Sequence, residues 1–184
     1  MTRSLRFGRG GRPWTRAAVL CQAAHIGYEA GAGVGMPLAS RLGFGPTGAL
    51  WGITSAAAWR AAGRAPRSRD PAFALVDGLC LAAVLAHLAS WPHERGLRAP
   101  CLRQCEGLDG RAMPAYNLLL YAGGATAAAG LRENRRGAVV GMLPLVLVPR
   151  IGREQHGEVA RLRARARETP RWWNRRLRRD IATP

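Results

Sequence analysis

The sequence predicts an all-α fold, a polytopic transmembrane helical bundle, from three observations. Five apolar stretches, roughly 17–39, 44–59, 72–92, 114–131 and 137–149, divide the 184 residues. The 28 basic residues avoid those stretches and gather between them. Small residues recur at four-residue spacing inside the stretches, as Gly27, Gly31 and Gly35, and again as Gly48, Gly52 and Ala56. Apolar runs separated by basic loops are the pattern of a membrane protein, and small-residue ridges let helices approach closely in lipid.

Every basic residue is arginine and none is lysine. With the abundance of Ala and Gly, this marks a GC-rich bacterial genome more than a demand for guanidinium chemistry. The formal charge of +17 raises nucleic acid as a partner, but its segregation into loops argues against one. The mean hydropathy of −0.11 reflects the Arg-rich ends and loops.

The first stretch follows a basic segment, residues 1–16, that imitates a signal peptide. His25 and Glu29 interrupt its apolar run and no small-x-small site follows, so it is expected to remain. The second stretch is short and reaches its length if Arg60 snorkels. The third runs uninterrupted except for Asp77 and His87, and the fourth opens with Tyr116, Asn117 and Tyr121. The fifth, "GAVVGMLPLVLVP", is short of a ~30 Å hydrocarbon core, and Pro144 and Pro149 each remove a helical donor. It is expected to be a re-entrant or interfacial segment, or a short kinked fifth helix. Arg153 to Glu168 is charged and helix-prone, and the ending "RWWNRRLRR" places Trp172 and Trp173 among arginines, a composition suited to anionic lipid headgroups.

With a cytoplasmic N-terminus and four spans, 23 arginines fall inside and 5 outside; a fifth span would give 12 against 16. The positive-inside rule therefore favours four spans, both termini cytoplasmic, in a bacterial inner membrane. The expected organisation is a basic N-terminal segment (1–16), a transmembrane bundle (17–151) and an Arg-rich cytoplasmic helix and tail (152–184). Membrane lipids are the expected partners, with homo- or hetero-oligomers open.

Gln22, His25 and Glu29 share one face of the first helix at i, i+3, i+7 spacing. An ionised carboxylate in a bilayer costs on the order of 3 kcal/mol, so Glu29 needs a proton, a partner or water. Asp77 and His87 lie in the third stretch, and if the two helices adjoin, Asp77, Glu29 and His87 form a ladder of titratable groups. The enzymatic reading makes Glu29 the proton donor, His25 the residue that sets its protonation, and Asp77 the stabiliser of developing positive charge. His87, Asn117 and Tyr121 are the expected substrate-contacting residues. The alternative is a non-enzymatic membrane component, a structural partner or small carrier, whose buried polar groups serve packing or proton passage. Cys101 and Cys105 make no persuasive zinc set with Glu106, although they can oxidise. No metal site and no cofactor are expected, and nucleotide-binding, zinc-protease and nucleophile-elbow patterns are absent.

The stretches "HIGYEAGAGVGMPLAS", "CEGL…MPAYN" and "RWWNRRLRR" resemble small multi-pass membrane proteins common in GC-rich bacteria, which implies a fold and no activity. His25 and Glu29 also match the His-x-x-x-Glu of the emopamil-binding, sterol-isomerase-like membrane proteins. That resemblance implies proton transfer on a sterol-like lipid. Glu29 with Asp77 is similar to the embedded acid pair of membrane-bound terpene cyclases, implying protonation of an isoprenoid.

Overall fold

Runs of good helix formers, most of them opened by proline, give five long helices, four of them ahead of the fifth apolar stretch. A computed structural model describes residues 11–96 and 99–178; Arg3, Arg6, Arg9, Arg98 and Arg179, which entered the charge count, lie outside them. Helix α1 spans Pro13–Ala32, α3 Phe44–Arg64, α4 Asp70–Ser90 and α5 Met113–Glu133, with a one-turn α2 at Ala39–Leu42. Each long helix has 20 or 21 residues, about 30 Å of length. Proline occupies the first turn of α1, α4 and α5, where no helical N–H is lost. The Glu133 carboxylate accepts from the N–H groups of Trp14 and Thr15, so the end of α5 caps the start of α1. Gly33, at φ 85°, ends α1 in a left-handed turn and donates to Glu29 O and Ala30 O.

The fifth stretch is a kinked helix rather than a re-entrant loop. Helix α6 spans Ala138–Met142, tightens into a 3-10 turn over Leu143–Leu147 at Pro144, and continues as α7, Val148–Glu168. It runs parallel to α4 along that helix's whole length. Gly137 lies against Pro71, Gly141 against Ala74 and Gly78, Gly152 against Ala86 and Ser90, and His156 against the Ser90 carbonyl at 3.0 Å. Gly141 is required there, because a Cβ would overlap the Ala74 backbone.

The chain therefore does not enter and leave the bundle at one end. Arg12 N donates to Ala62 O beside Asn134 at the starting end of α1, while Arg176 N donates to Gly33 O at the finishing end. Segments 12, 60–70 and 133–137 share one end; segments 33–43, 91–112 and 156–177 share the other. Residue 12 and residues 171–177 thus lie at opposite ends of the bundle, because Pro144 kinks the fifth stretch without turning it back.

Residues 93–109 add a small β element to the expected all-α fold. Strands β1 (His93–Gly96) and β2 (Ala99–Leu102) pair antiparallel, as do β3 (Gln104–Cys105) and β4 (Leu108–Asp109). The main apolar core lies at the same end, where Ile26, Leu102, Leu108, Tyr116, Leu162 and Leu177 are buried together. The tail folds over this end: Trp173 stacks on Phe44 at 5.1 Å, and Leu177 packs on Gly107 and Val34.

Among the described residues one helix, Arg67–Ser90, is both long and apolar enough to cross a membrane by length and composition. Helices α1, α3 and α5 have the length, but their many Ala and Gly residues and embedded polar groups keep their hydropathy low. The predicted glycine ridges are only partly used: nothing lies within 4 Å of the Cβ positions of Gly27 and Gly31 on α1 or Gly52 on α3, whereas Gly35 lies against Leu162 and Gly48 against Met36.

Candidate functional site

The polar stripe of α1 faces a cluster assembled from four elements. His25 and Glu29, one turn apart, bring Nε2 and Oε1 to 2.9 Å. From α4, His87 Nε2 lies 4.0 Å from the same Glu29 oxygen. From α5, the Tyr116 hydroxyl donates to Glu29 Oε1 at 2.9 Å and contacts Cys105 Sγ at 3.3 Å. From the β3–β4 turn, Glu106 hydrogen-bonds Glu29 and places Oε1 3.5 Å from His87 Nε2. Glu29 is 1% exposed and Tyr116 0%, so water does not screen these groups within the protein.

Local sequence explains each position. Glu29 lies in the last turn of α1, not at its middle, and His87 in the last turn of α4, so both belong to one level of the bundle. Glu106 and Gly107 are the central residues of a two-residue hairpin, with φ of 52° and 93°. Positive φ at both is the type I′ pattern, which usually takes Asn or Gly first. A glutamate held there is strained, and strain of this kind collects at functional sites. Burial, and next the charge of Glu29, raises the Glu106 carboxyl to about 7. Burial also pushes the Cys105 thiol well above its ordinary range.

His87 Nδ1 is 2.7 Å from the Ala83 carbonyl, which can only accept, so Nδ1 carries the proton and Nε2 faces the carboxylates. The Gln155 amide nitrogen from α7 lies 3.2 Å from His87 Nε2, the ring nitrogen able to accept from it, and the Gln155 Oε1 is buried without a partner among the described residues. These groups form the inner wall of a cavity of about 380 Å3 whose remaining walls include Met36, Trp51, Leu147, Ile151 and Leu162. The exposed Arg41, Glu154 and Arg161 stand at its rim.

Asp77 is not part of this arrangement. It lies ten residues before His87, about 15 Å along α4, in a second buried cluster at the opposite end of the bundle. There Asp77 Oδ2 accepts from Thr15 Oγ1 at 3.0 Å and Asn134 Nδ2 at 2.8 Å, while Arg12 reaches Asn134 at 2.9 Å and Asp70 at 2.7 Å. The predicted ladder of Asp77, Glu29 and His87 does not form, because Glu29 and His87 share a level and Asp77 does not.

Asn117 and Tyr121 also have other partners. Asn117 exchanges hydrogen bonds with the backbone of Leu102, and the Tyr121 hydroxyl donates to Pro100 O, so both fasten β2 to α5. The four cysteines are free thiols. The sequence reading did not place Glu106, Tyr116, Cys105 or Gln155 in the site; an acidic residue before glycine in an otherwise basic loop was the available signal. No protein-family model matches the chain, and neither a characterised protein nor a solved structure does.

Proposed function

We propose that the chain is a multi-pass integral membrane protein of a bacterial plasma membrane that performs acid/base chemistry on a lipid- or isoprenoid-like substrate. One observation carries this reading: two buried carboxyl groups and two buried imidazoles converge on the wall of a largely apolar cavity, with the Tyr116 phenol hydrogen-bonded to one of the carboxyl groups outside that lining. Such a site can hand a proton to an apolar substrate and take one back while excluding solvent. Glu29 is the proton-transferring group, His25 and Tyr116 fix its oxygen, and Glu106 shares its proton.

Membrane placement is supported by the outer surface. Val139, Val146, Leu118 and Ile53 are 82%, 79%, 71% and 69% exposed, and Leu20, Leu79 and Leu143 are exposed too. So large an apolar surface needs lipid or a partner to cover it. If α1, α3, α4, α5 and the α6–α7 segment all cross, residues 12 and 177 lie toward opposite faces of the bilayer. The basic outer face of α7, opposite buried Val159, Leu162 and Ala166, then suits anionic headgroups.

The second reading, a purely structural role for buried polar groups, is favoured for the Asp77 cluster, where Arg12, Asp70, Thr15 and Asn134 bond one another across α1, α4 and α5. The test is a comparison of lipid extracts from cells lacking the gene and cells complemented with wild type, Glu29→Gln or Glu106→Gln. Loss of a lipid product at normal protein abundance supports the acid/base reading. A lipid profile identical in all strains overturns it.

A further inference from the structure

His25, Glu29 and His87 do more than share protons: we infer that they form a binding site for a single divalent transition-metal ion of the zinc class. This deepens the proposed function and rests on the same site. The donor atoms of the three residues lie within 4.8 Å of one another, and all three residues are buried. Adjacent ligands of a tetrahedral ion bound at ~2.0–2.1 Å stand about 3.3 Å apart. Here the separations from Glu29 Oε1 are 2.9 Å to His25 Nε2 and 4.0 Å to His87 Nε2, which bracket that value. Small side-chain adjustments suffice to close the set.

The surroundings resemble those of ligands held for a metal. His87 donates Nδ1–H to the Ala83 carbonyl, the contact that fixes a metal-binding imidazole with its Nε2 lone pair presented. His87 Nε2 lies 3.5 Å from Glu106 Oε1 and 4.0 Å from Glu29 Oε1, with the Gln155 amide nitrogen 3.2 Å away, so an ion between the imidazole and the carboxylates would displace only that amide contact. Tyr116 steadies the carboxylate of Glu29 by a hydrogen bond at 2.9 Å. Two histidines and one carboxylate leave at least one coordination position open, as in hydrolytic zinc sites and non-haem iron sites. The residues also line the cavity, and the partnerless Gln155 Oε1 is an acceptor for a water there. Glu106, 3.5 Å from His87 Nε2, is either a fourth ligand or the group that orients such a water.

The test uses full-length protein in detergent, stripped with chelator, then titrated with Zn2+ and separately with Co2+. Expected are one ion per chain, a rise in melting temperature on loading, and visible Co2+ absorption bands of low-symmetry coordination. His87→Ala and Glu29→Gln should each weaken binding 10-fold or more, whereas His156→Ala, which alters an exposed histidine outside the set, should bind as wild type. If a variant fails to fold, the wild-type stoichiometry and Co2+ spectrum still decide. Absence of stoichiometric binding by wild type, or binding undiminished in both site variants, overturns the metal site. Lipid turnover retained by stripped, non-binding protein would do so while leaving the acid/base reading standing; a bound ion with no lipid turnover would leave the metal site and remove that reading.

Discussion

The Tyr116 hydroxyl on α5 donates to Glu29 Oε1 on α1 at 2.9 Å, joining two helices at a carboxylate with almost no exposure. Removing that donor leaves a buried acceptor with one partner fewer, a loss of about 1–2 kcal/mol. Tyr116→Phe should lower the unfolding free energy in detergent by that amount, with a lower midpoint, and, under the proposed acid/base function, reduce turnover of a lipid substrate at least 10-fold. An unchanged midpoint would show that the bond contributes nothing to the fold.

Glu106 separates stability from activity. Its positive φ costs a β-carbon residue about 1–2 kcal/mol relative to one suited to the left-handed region, and its carboxyl is buried. Glu106→Gly relieves both costs, so the variant should unfold at a temperature equal to or above wild type while losing lipid turnover. Calorimetry and lipid analysis on the same preparation check it. A clear fall in melting temperature would mean that the Glu106 contacts to Glu29 and His87 outweigh the strain.

The Asp77 cluster should behave as structure. Arg12→Ala strands the buried carboxylate of Asp70, a loss of about 3–5 kcal/mol, and should sharply reduce the folded protein recovered from membranes. Asp77→Asn keeps a side chain of the same shape able to accept from Thr15 and Asn134, and should leave lipid turnover within about twofold of wild type at equal abundance. Loss of turnover at full abundance in Asp77→Asn would return that residue to the chemistry.

Close packing of the α6–α7 segment on α4 is equally testable. Gly141→Leu drives a side chain into Ala74 and Leu131, and overpacking of this kind costs about 1–3 kcal/mol or more. Lower abundance and protease sensitivity after α5 are the expected readouts. Gly27→Leu, where nothing lies within 4 Å, should be tolerated by the isolated chain.

Topology gives a further check. Cysteine introduced at Ser68 and at Glu94 should react with a membrane-impermeant thiol reagent from opposite faces of the membrane, because residues 60–70 and 91–112 occupy opposite ends of the bundle. Labelling of both from one face would show that α4 does not cross a membrane and would remove the proposed multi-pass arrangement.

What could be read from the chain was what depends on one helix at a time. The i, i+3, i+7 stripe of Gln22, His25 and Glu29 does face the cavity, because helical periodicity fixes angular position. Asp77 was misplaced because the level of a residue along the bundle depends on where neighbouring helices begin, and α1 ends just past Glu29 while α4 continues thirteen residues beyond Asp77. Glu106 escaped because the return of a loop over a helix end is a tertiary event with no periodicity. Pro144 and Pro149 pointed to a re-entrant or interfacial segment ahead of a kinked helix; the segment is a kinked helix, because the close approach of Gly141 to Gly78 keeps it alongside α4.

The packing of Leu177 on Gly107 carries a consequence for biosynthesis. Glu106 belongs to the turn that Leu177 covers, and Leu177 leaves the ribosome long after α1, α4 and α5. Until it arrives, the nascent bundle holds Glu29 and His87 beneath an unfastened hairpin. Chains truncated before Leu177 are expected to leave the Glu106 turn unfastened, so that the site closes only once that residue has packed.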